Sequence, residues 1–500
     1  MCAFAALTVA MALTGCGGTT YTDNRTLPPS GITNRVLIAV QNPSTLSKGA
    51  LEIVDAYYDI RSSYNGATSS FWISGYGAAL PSSIQNMPDE QFGAVYGSGD
   101  GSLTLINYQT EKTSGSISGL NGLSSSIFVT RNDKYVFAAS NASEVLTVID
   151  QTSGSSYPLS LPGVYRVSVN PSGTVALAFV QNSNYVYYAR QLTTAETAAY
   201  SYGSLSWPKA AVDCEPQSAP GWCLFQAQSP DTLDNAATKV TGTATYTGLP
   251  LVFDHPVKAL FSSDGSTAYV LSCGAECGGT TASVSLLPTA PMIFSKGLWS
   301  GVLPCNVTAT TCSNSSVMTR IDKLAGASNG LISGTTMYVV GQQEVAVGSE
   351  NYWGGYLTRL NLSTNAVVAT TTASPNPVSI SDGTPGLSSR MVLADDNTLW
   401  IGMQGCDSGA RAASGESYGC LTMYNTSSNT VTMLESFEGN ATGIAAVSGL
   451  HKIYTAEGGQ VYIYSTTSGD AIDNQYVTVT GTAYDVAYMD ATTDSDNTVY

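Results

Sequence analysis

Hydrophobic and polar positions along this chain alternate in short runs rather than helical stripes. The run Tyr135 to Ser140 is followed by a polar turn at Asn141 to Ser143, a second run Val145 to Asp150, and the turn residues Thr152-Ser153-Gly154. Short β-forming runs bounded by Asn, Asp, Ser and Gly read as strands joined in hairpins. The phrase recurs as RVLIAVQN with LEIVDAYYDI from Arg35, GAVYGSGDGSLTLINYQ from Gly93 and TVALAFVQNSNYVYYARQL from Thr174. Later copies start at Thr267, Thr336, Thr398 and Ile453, which makes eight in all. Turns such as 131–134, 170–173, 263–266 and 395–397 precede several copies, and further short β segments such as SIFVT and YPLSL lie between them. Asn, Asp and Gly accept tight-turn geometry or cap it with their own side chains, so each turn joins two strands. The repeating unit is therefore about four short strands.

A four-stranded unit repeated at roughly forty residues or more predicts a β-propeller, whose ring protects most strand edges. A row of independent β-sandwiches is the alternative. The copies resemble the YVTN β-propeller repeat family and its NHL and lactonase-like relatives, through Tyr135-Val136 with Val148-Ile149-Asp150 and Thr152-Ser153-Gly154, echoed at Tyr269-Val270 and Tyr338-Val339. That resemblance implies an all-β fold, usually of seven blades; the repeat count here is eight, which one inserted hairpin would inflate. Residues 483–489, AYDVAYM, read as an inner strand with no copy after it, expected to pair with the N-terminal copy and close the ring. The expected organisation is a signal peptide over 1–15, a tether over 16–31, and a single propeller over 32–490. Insertions interrupt it near 193–250 and 288–316, and an acidic tail follows over 491–500.

Composition changes the picture in two ways. Hydrophobic residues make up 43% of the chain and charged ones 11%, so Ser, Thr, Asn, Gln and Gly must supply much of the polar surface. The net charge of −17 arises from 36 acids against 19 bases with no basic run, which argues against binding a phosphate backbone. Nucleic acid is not an expected partner.

The start of the chain carries an apolar run from Phe4 to Leu13, too short to span a bilayer. Its end, Leu13-Thr14-Gly15-Cys16, resembles a bacterial lipobox, although no Lys or Arg precedes the run. The resemblance implies cleavage before Cys16, lipidation of that residue, and an extracytoplasmic, membrane-anchored lipoprotein at the cell envelope. An ordinary secretory peptide with an incidental Cys16 is the alternative. Eight of the ten cysteines lie beyond this segment, as neighbours: Cys214 and Cys223, Cys273 and Cys277, Cys305 and Cys312, Cys406 and Cys420. Local disulfides are the simplest reading in an oxidising compartment. Zinc is the rival, but the spacings are not of the paired C-x2-C type.

Candidate chemistry is sparse. Only His255 and His451 could serve as the imidazole base of a hydrolase triad, and both fall beside turns. G-x-S-x-G occurs at 326–330, GASNG, and at 415–419, GESYG, but neither stretch reads as the strand-to-helix turn that a nucleophile elbow requires, and no H-E-x-x-H helix or phosphate-binding loop occurs. Asp494, Asp496 and Asn497 lack the Gly and distal Glu of an EF-hand loop. No cofactor, metal site or catalytic residue is expected.

The uneven feature is the connection between the second and third strands. It is short in five copies and enlarged in three consecutive ones: CGAECGGTTA, GQQEVAVGSENYWGG and GCDSGARAASGESYGC. Long loops at one point of a repeat mark a binding rim. A bridge between Cys406 and Cys420, closing about fifteen residues, would contribute roughly 3 kcal/mol. Tyr352, Trp353, Arg411, Glu416 and Tyr418 are the candidate binding residues, since aromatics with a few charges suit recognition of a protein or glycan. The expected function is a monomeric, non-catalytic scaffold for a protein or cell-envelope polymer. The alternative is a propeller enzyme, lactonase-like or quinoprotein-like.

Overall fold

The structure is a computed structural model that describes residues 27–42, 48–61, 71–118, 120, 123–201, 211–215, 221–227, 253–293, 319–347, 349–372, 374–381, 387–406, 418–434 and 439–492. Its strands form eight antiparallel sheets arranged as the blades of a propeller ring. In blades 2 to 8 the chain enters at the innermost strand and steps outward through the first three strands, because a short turn between consecutive strands favours hairpin neighbours. The inner strands of blades 2 to 8 are Pro81–Met87, Ser126–Val129, Val164–Val169, Pro256–Phe261, Asn329–Ser333, Leu387–Ala394 and Ala441–Val447. All eight copies of the repeat supply the second and third strands of a blade. Eight is thus the blade number, and no inserted hairpin inflates it.

Blade 1 closes the ring. Its inner strand, Thr482–Tyr488, comes from the C-terminal end and pairs antiparallel with Arg35–Gln41, with Val36 opposite Tyr488 and Gln41 opposite Thr482. Ala50–Asp55 and Phe71–Trp72 complete it. Arg35 locks the joint: its guanidinium meets Asp490 at 2.6 Å and Glu111 of blade 2 at 3.1 Å, and only 3% of it is exposed. A buried arginine is tolerated because two carboxylates and a backbone carbonyl satisfy it.

The core lies between blades. Alternate residues of each strand face the neighbouring sheet, and the resulting clusters join successive blades, as Tyr135, Phe137 and Val148 of blade 3 meet Ala178 and Trp222 of blade 4. Burying each such side chain stabilises by about 1.5–3 kcal/mol before entropy is counted. The turns cap themselves as expected: Asp150 accepts the Thr152 N–H at 2.9 Å, and Asn170 accepts those of Thr174 and Val175 at 2.8 and 2.9 Å.

The insertion near 193–250 has a structural role in its described part. After a helix Thr194–Ser201, the strands Trp222–Gln226 and Ala211–Glu215 add a fourth and fifth strand to blade 4. Trp222 is fully buried between blades 3 and 4, with its ring 5.3 Å from Tyr135 and 5.9 Å from Phe137. The described ends of CEPQSAPGWC, 214–215 and 221–223, therefore belong to strands at a blade edge.

Candidate functional site

Strand direction alternates within a blade, so the connections between second and third strands all open on the rim where the inner strands begin, here called the upper rim. Blade 5 carries one enlarged connection, tied back on itself by the disulfide Cys273–Cys277 around a short 3-10 helix, Gly274–Cys277. Blade 6 carries another, and it is not a loop. The strands Thr336–Val347 and Glu350–Asn361, 12 residues each, pair without a break from Thr336 opposite Asn361 to Val347 opposite Glu350. Only residues 336–340 also pair with the inner strand, so the far half rises from the sheet as a two-stranded arm. The stretch EVAV facing ENYW has β-forming residues in alternation, which is why it continues the ladder where irregular backbone was expected.

The foot of the arm is fixed on both sides. The half-buried Glu276, beside the blade 5 disulfide, accepts the backbone N–H of Gln342 at 3.0 Å. Across the arm, the Gly355 N–H donates to Ser381 Oγ at 2.6 Å and its carbonyl accepts the Ile380 N–H at 3.0 Å. Gly341 is needed at this bend, since a Cβ there would lie 2.4 Å from the Ala327 nitrogen. Burial pushes the Glu276 carboxyl above its ordinary range, against the pull of its hydrogen bonds with Gln342 and Ser328. The native state therefore holds this proton to higher pH than the unfolded chain does, and the group's contribution to stability falls as pH rises from about 4.3 through the raised value. Glu276→Gln removes that titration. The difference in unfolding midpoint between variant and wild type should be more favourable to the variant at pH 7 than at pH 4; an equal difference at both would refute this account.

On the arm, Tyr352 stands opposite Val345 and Trp353 opposite Glu344 in the register. Trp353 is half-buried and Glu344 exposed. Arg411 and Glu416 lie outside the described residues, as does the Tyr418 side chain; the backbone of Tyr418 opens the strand Tyr418–Asn425 opposite Cys406. The Tyr352 side chain also lies outside the described residues, so of the five candidates only the Trp353 side chain is described. Cys214 and Cys223 form the expected bridge between facing strands, with an S–S distance of 1.98 Å. Cys420 is disulfide-bonded; its expected partner Cys406 has its side chain outside the described residues, as do Cys305 and Cys312 altogether. Both histidines are turn residues with left-handed backbone, φ 57° at His255 and 54° at His451, each ring 2.9 Å from an aspartate, Asp254 and Asp396.

Sequence reasoning missed the channel. A hydrogen-bonded circuit links the inner strands around the whole ring. Asp485 of blade 1 accepts the Ile84 N–H of blade 2 at 2.8 Å, and Gln85 bonds both backbone groups of Val129 in blade 3 at 2.7 and 2.8 Å. Ser126 accepts from Val167 in blade 4, and Ser168 from Ala259 in blade 5, both at 3.2 Å. Lys258 then donates to Asn329 of blade 6 at 2.9 Å, and Asn329 to Ser388 of blade 7 at 3.4 Å. Arg390 of blade 7 donates to the Thr442 carbonyl of blade 8 at 3.2 Å and reaches Asp485 at 2.8 Å. Gly443 lets blade 8 come close to this joint, since a Cβ there would lie 2.6 Å from Asp485 Oδ1. The available signal was a lone charge inside an apolar strand, as in PVKALF, SRMVLA and AYDVAY.

Beyond this belt the opposite, lower mouth holds a cavity of about 570 Å³, lined by the ends of the inner strands and the first turns of blades 2 to 6. It lies on the other face from the arm. Among the described residues, no group of three or more His, Cys, Asp or Glu side chains is placed to hold a metal ion.

No protein-family model matches the chain, and no curated protein matches it in sequence. Among solved structures it is similar to the periplasmic gluconolactonase PpgL of Pseudomonas aeruginosa, at 13% identity and a TM-score of 0.41 over 91% of this chain and 98% of that one. It is also similar to apo AztD of Citrobacter koseri, at 9% identity and a TM-score of 0.43 over 91% and 98% of the two chains. A third is the dihydro-heme d1 dehydrogenase NirN, at 10% identity and a TM-score of 0.44 over 92% and 75%. Likeness at this level carries no argument about activity, and the assignment to an eight-bladed β-propeller rests on the order and register of the chain's own sheets.

Proposed function

We propose that this protein is a lipid-anchored, extracytoplasmic binding scaffold that engages a protein or cell-envelope polymer through the upper rim of blades 5 to 7, as a monomer and without covalent chemistry or a cofactor. The observation that carries the reading is the arm of blade 6, a paired hairpin held at its foot by Glu276 and Ser381. A recognition element ordered before its partner arrives loses little conformational entropy on binding. The two disulfides fit an oxidising, extracytoplasmic compartment, and no helix among the described residues is long and apolar enough to cross a membrane. The test is capture of envelope components by the immobilised protein beside a variant in which a two-residue turn replaces residues 343–354. Capture by the wild type alone supports the reading, and equal capture by both removes the arm from it. The lower-mouth cavity favours a second reading, a propeller enzyme; turnover of a lactone or an oxidisable alcohol would decide for it.

Anchoring has its own test. Cys16→Ser should move the protein from the membrane fraction to the soluble secreted one, because the acyl chains supply the attachment. Unchanged partition would leave Cys16 without that role.

A further inference from the structure

We propose that the arm of blade 6 takes up an extended, basic segment of a partner protein as an added β-strand along its Glu344–Ala346 edge, which rests on the rim being a binding surface. In an antiparallel ladder the N–H and C=O of one residue point to one side and those of the next residue to the other. The Val340 carbonyl accepts the Ser328 N–H at 2.8 Å and the Gln342 N–H donates to Glu276 at 3.0 Å, so the even-numbered residues of this strand point away from the arm's second strand. Glu344 and Ala346 follow in phase, and among the described residues nothing bonds their outward N–H and C=O groups. Gln343, Glu344 and Ala346 are exposed, so the edge is open to solvent. An added strand would lie on the side that the inner strand Asn329–Ser333 already takes, where it pairs with residues 336–340. Strand addition to an exposed edge is a recurring way to hold a peptide: the main chain supplies affinity and the side chains select the partner. Charge makes the selection here. Residues 341–358 include Glu344 and Glu350 and no Lys or Arg, so a segment carrying Lys or Arg is favoured. A second copy of the chain would bring its own Glu344 to this edge, and like charges across a ladder repel.

The experiment is a fluorescence-anisotropy titration of the purified protein with three labelled octapeptides. One alternates Val and Lys, one alternates Val and Glu, and the third is the Val–Lys peptide N-methylated at every residue, which keeps its charge but cannot pair as a strand. Saturable binding of the Val–Lys peptide at one equivalent, about tenfold or more tighter than either of the others, is the expected result. Proline has no N–H to donate and is tolerated on a strand edge. Ala346→Pro should therefore weaken the Val–Lys peptide by about tenfold or more, whereas Asn351→Pro, on the opposite edge of the same rung, should leave it within about twofold of wild type. Equal binding of the N-methylated peptide would reduce the effect to charge attraction and overturn the proposal, as would an equal response of the two variants. Association of two copies in ultracentrifugation that only Ala346→Pro abolishes would make a second copy the occupant instead. If Ala346→Pro fails to fold, the N-methylated peptide decides on the wild type. Capture of envelope components that is lost when residues 343–354 are replaced but kept in Ala346→Pro would overturn strand addition alone and leave the rim as the binding surface.

Discussion

Asp485→Ala is expected to destabilise the protein by about 3–5 kcal/mol, the usual consequence of removing one partner of a buried ion pair. Asp485 is 3% exposed and its carboxylate accepts from the Ile84 N–H, the Val486 N–H and Arg390 at 2.8, 3.0 and 2.8 Å. The variant removes a carboxylate that pairs with Arg390, itself 8% exposed, and an acceptor of the Ile84 N–H. It does so on the inner strand that the C-terminal end contributes to blade 1, where the ring has no covalent continuity. Damage there acts on the contact of blade 1 with blade 2 and on its bond to blade 7 across the mouth of blade 8. Chemical unfolding followed by circular dichroism measures the loss, and Asp485→Asn, which keeps the shape and one acceptor, should recover part of it. A loss below about 1 kcal/mol in the alanine variant would place the pair among the weak, solvent-screened ones and refute its role in closure.

Trp353→Ala should weaken capture of the rim's partner by about tenfold or more while leaving the unfolding midpoint almost unchanged. Aromatic anchors dominate the energetics of such surfaces, and a tenfold change corresponds to about 1.4 kcal/mol. Trp353 stands nearer the tip of the arm than Gly355, which is tied to the neighbouring segment through Ser381, so its removal leaves that bond at the foot intact. Surface substitutions away from packing features usually stay within about 0.5 kcal/mol of neutral. Binding and thermal unfolding measured on one preparation separate the alternatives. Intact binding would exclude Trp353 as an anchor, and a joint fall in binding and stability would mean that the half-buried ring serves to pack the arm.

The two disulfides in the described residues show why some chemistry was legible early. Cys214–Cys223 and Cys273–Cys277 join partners 9 and 4 residues apart, so local chain geometry restricts the choice before any long-range contact forms. The arm shows the opposite case. Its residues were legible as an enlarged connection, but whether the backbone there pairs with itself depends on support at the foot from Glu276 and Ser381, which are 66 and 26 residues from their partners. The candidate binding residues were chosen by type and position in the repeat, and that choice contained no information about which of them share a face.

By itself, the sequence determined the repeating hairpin, the all-β class, a repeat count of eight that the sheets then showed to be the blade number, and the pairing of the C-terminal strand with the N-terminal copy. All of these follow from strand periodicity and turn chemistry that act over fewer than about ten residues, repeated until only a ring hides the edges. Only the tertiary structure decided the channel. Lys258, Gln85, Arg390 and Asp485 come from four blades, and the pair Arg390–Asp485 is 95 residues apart. A lone charge in an apolar strand is costly anywhere except where partners converge on it, and that convergence arises from the curvature of eight sheets packed side by side, which no local stretch encodes.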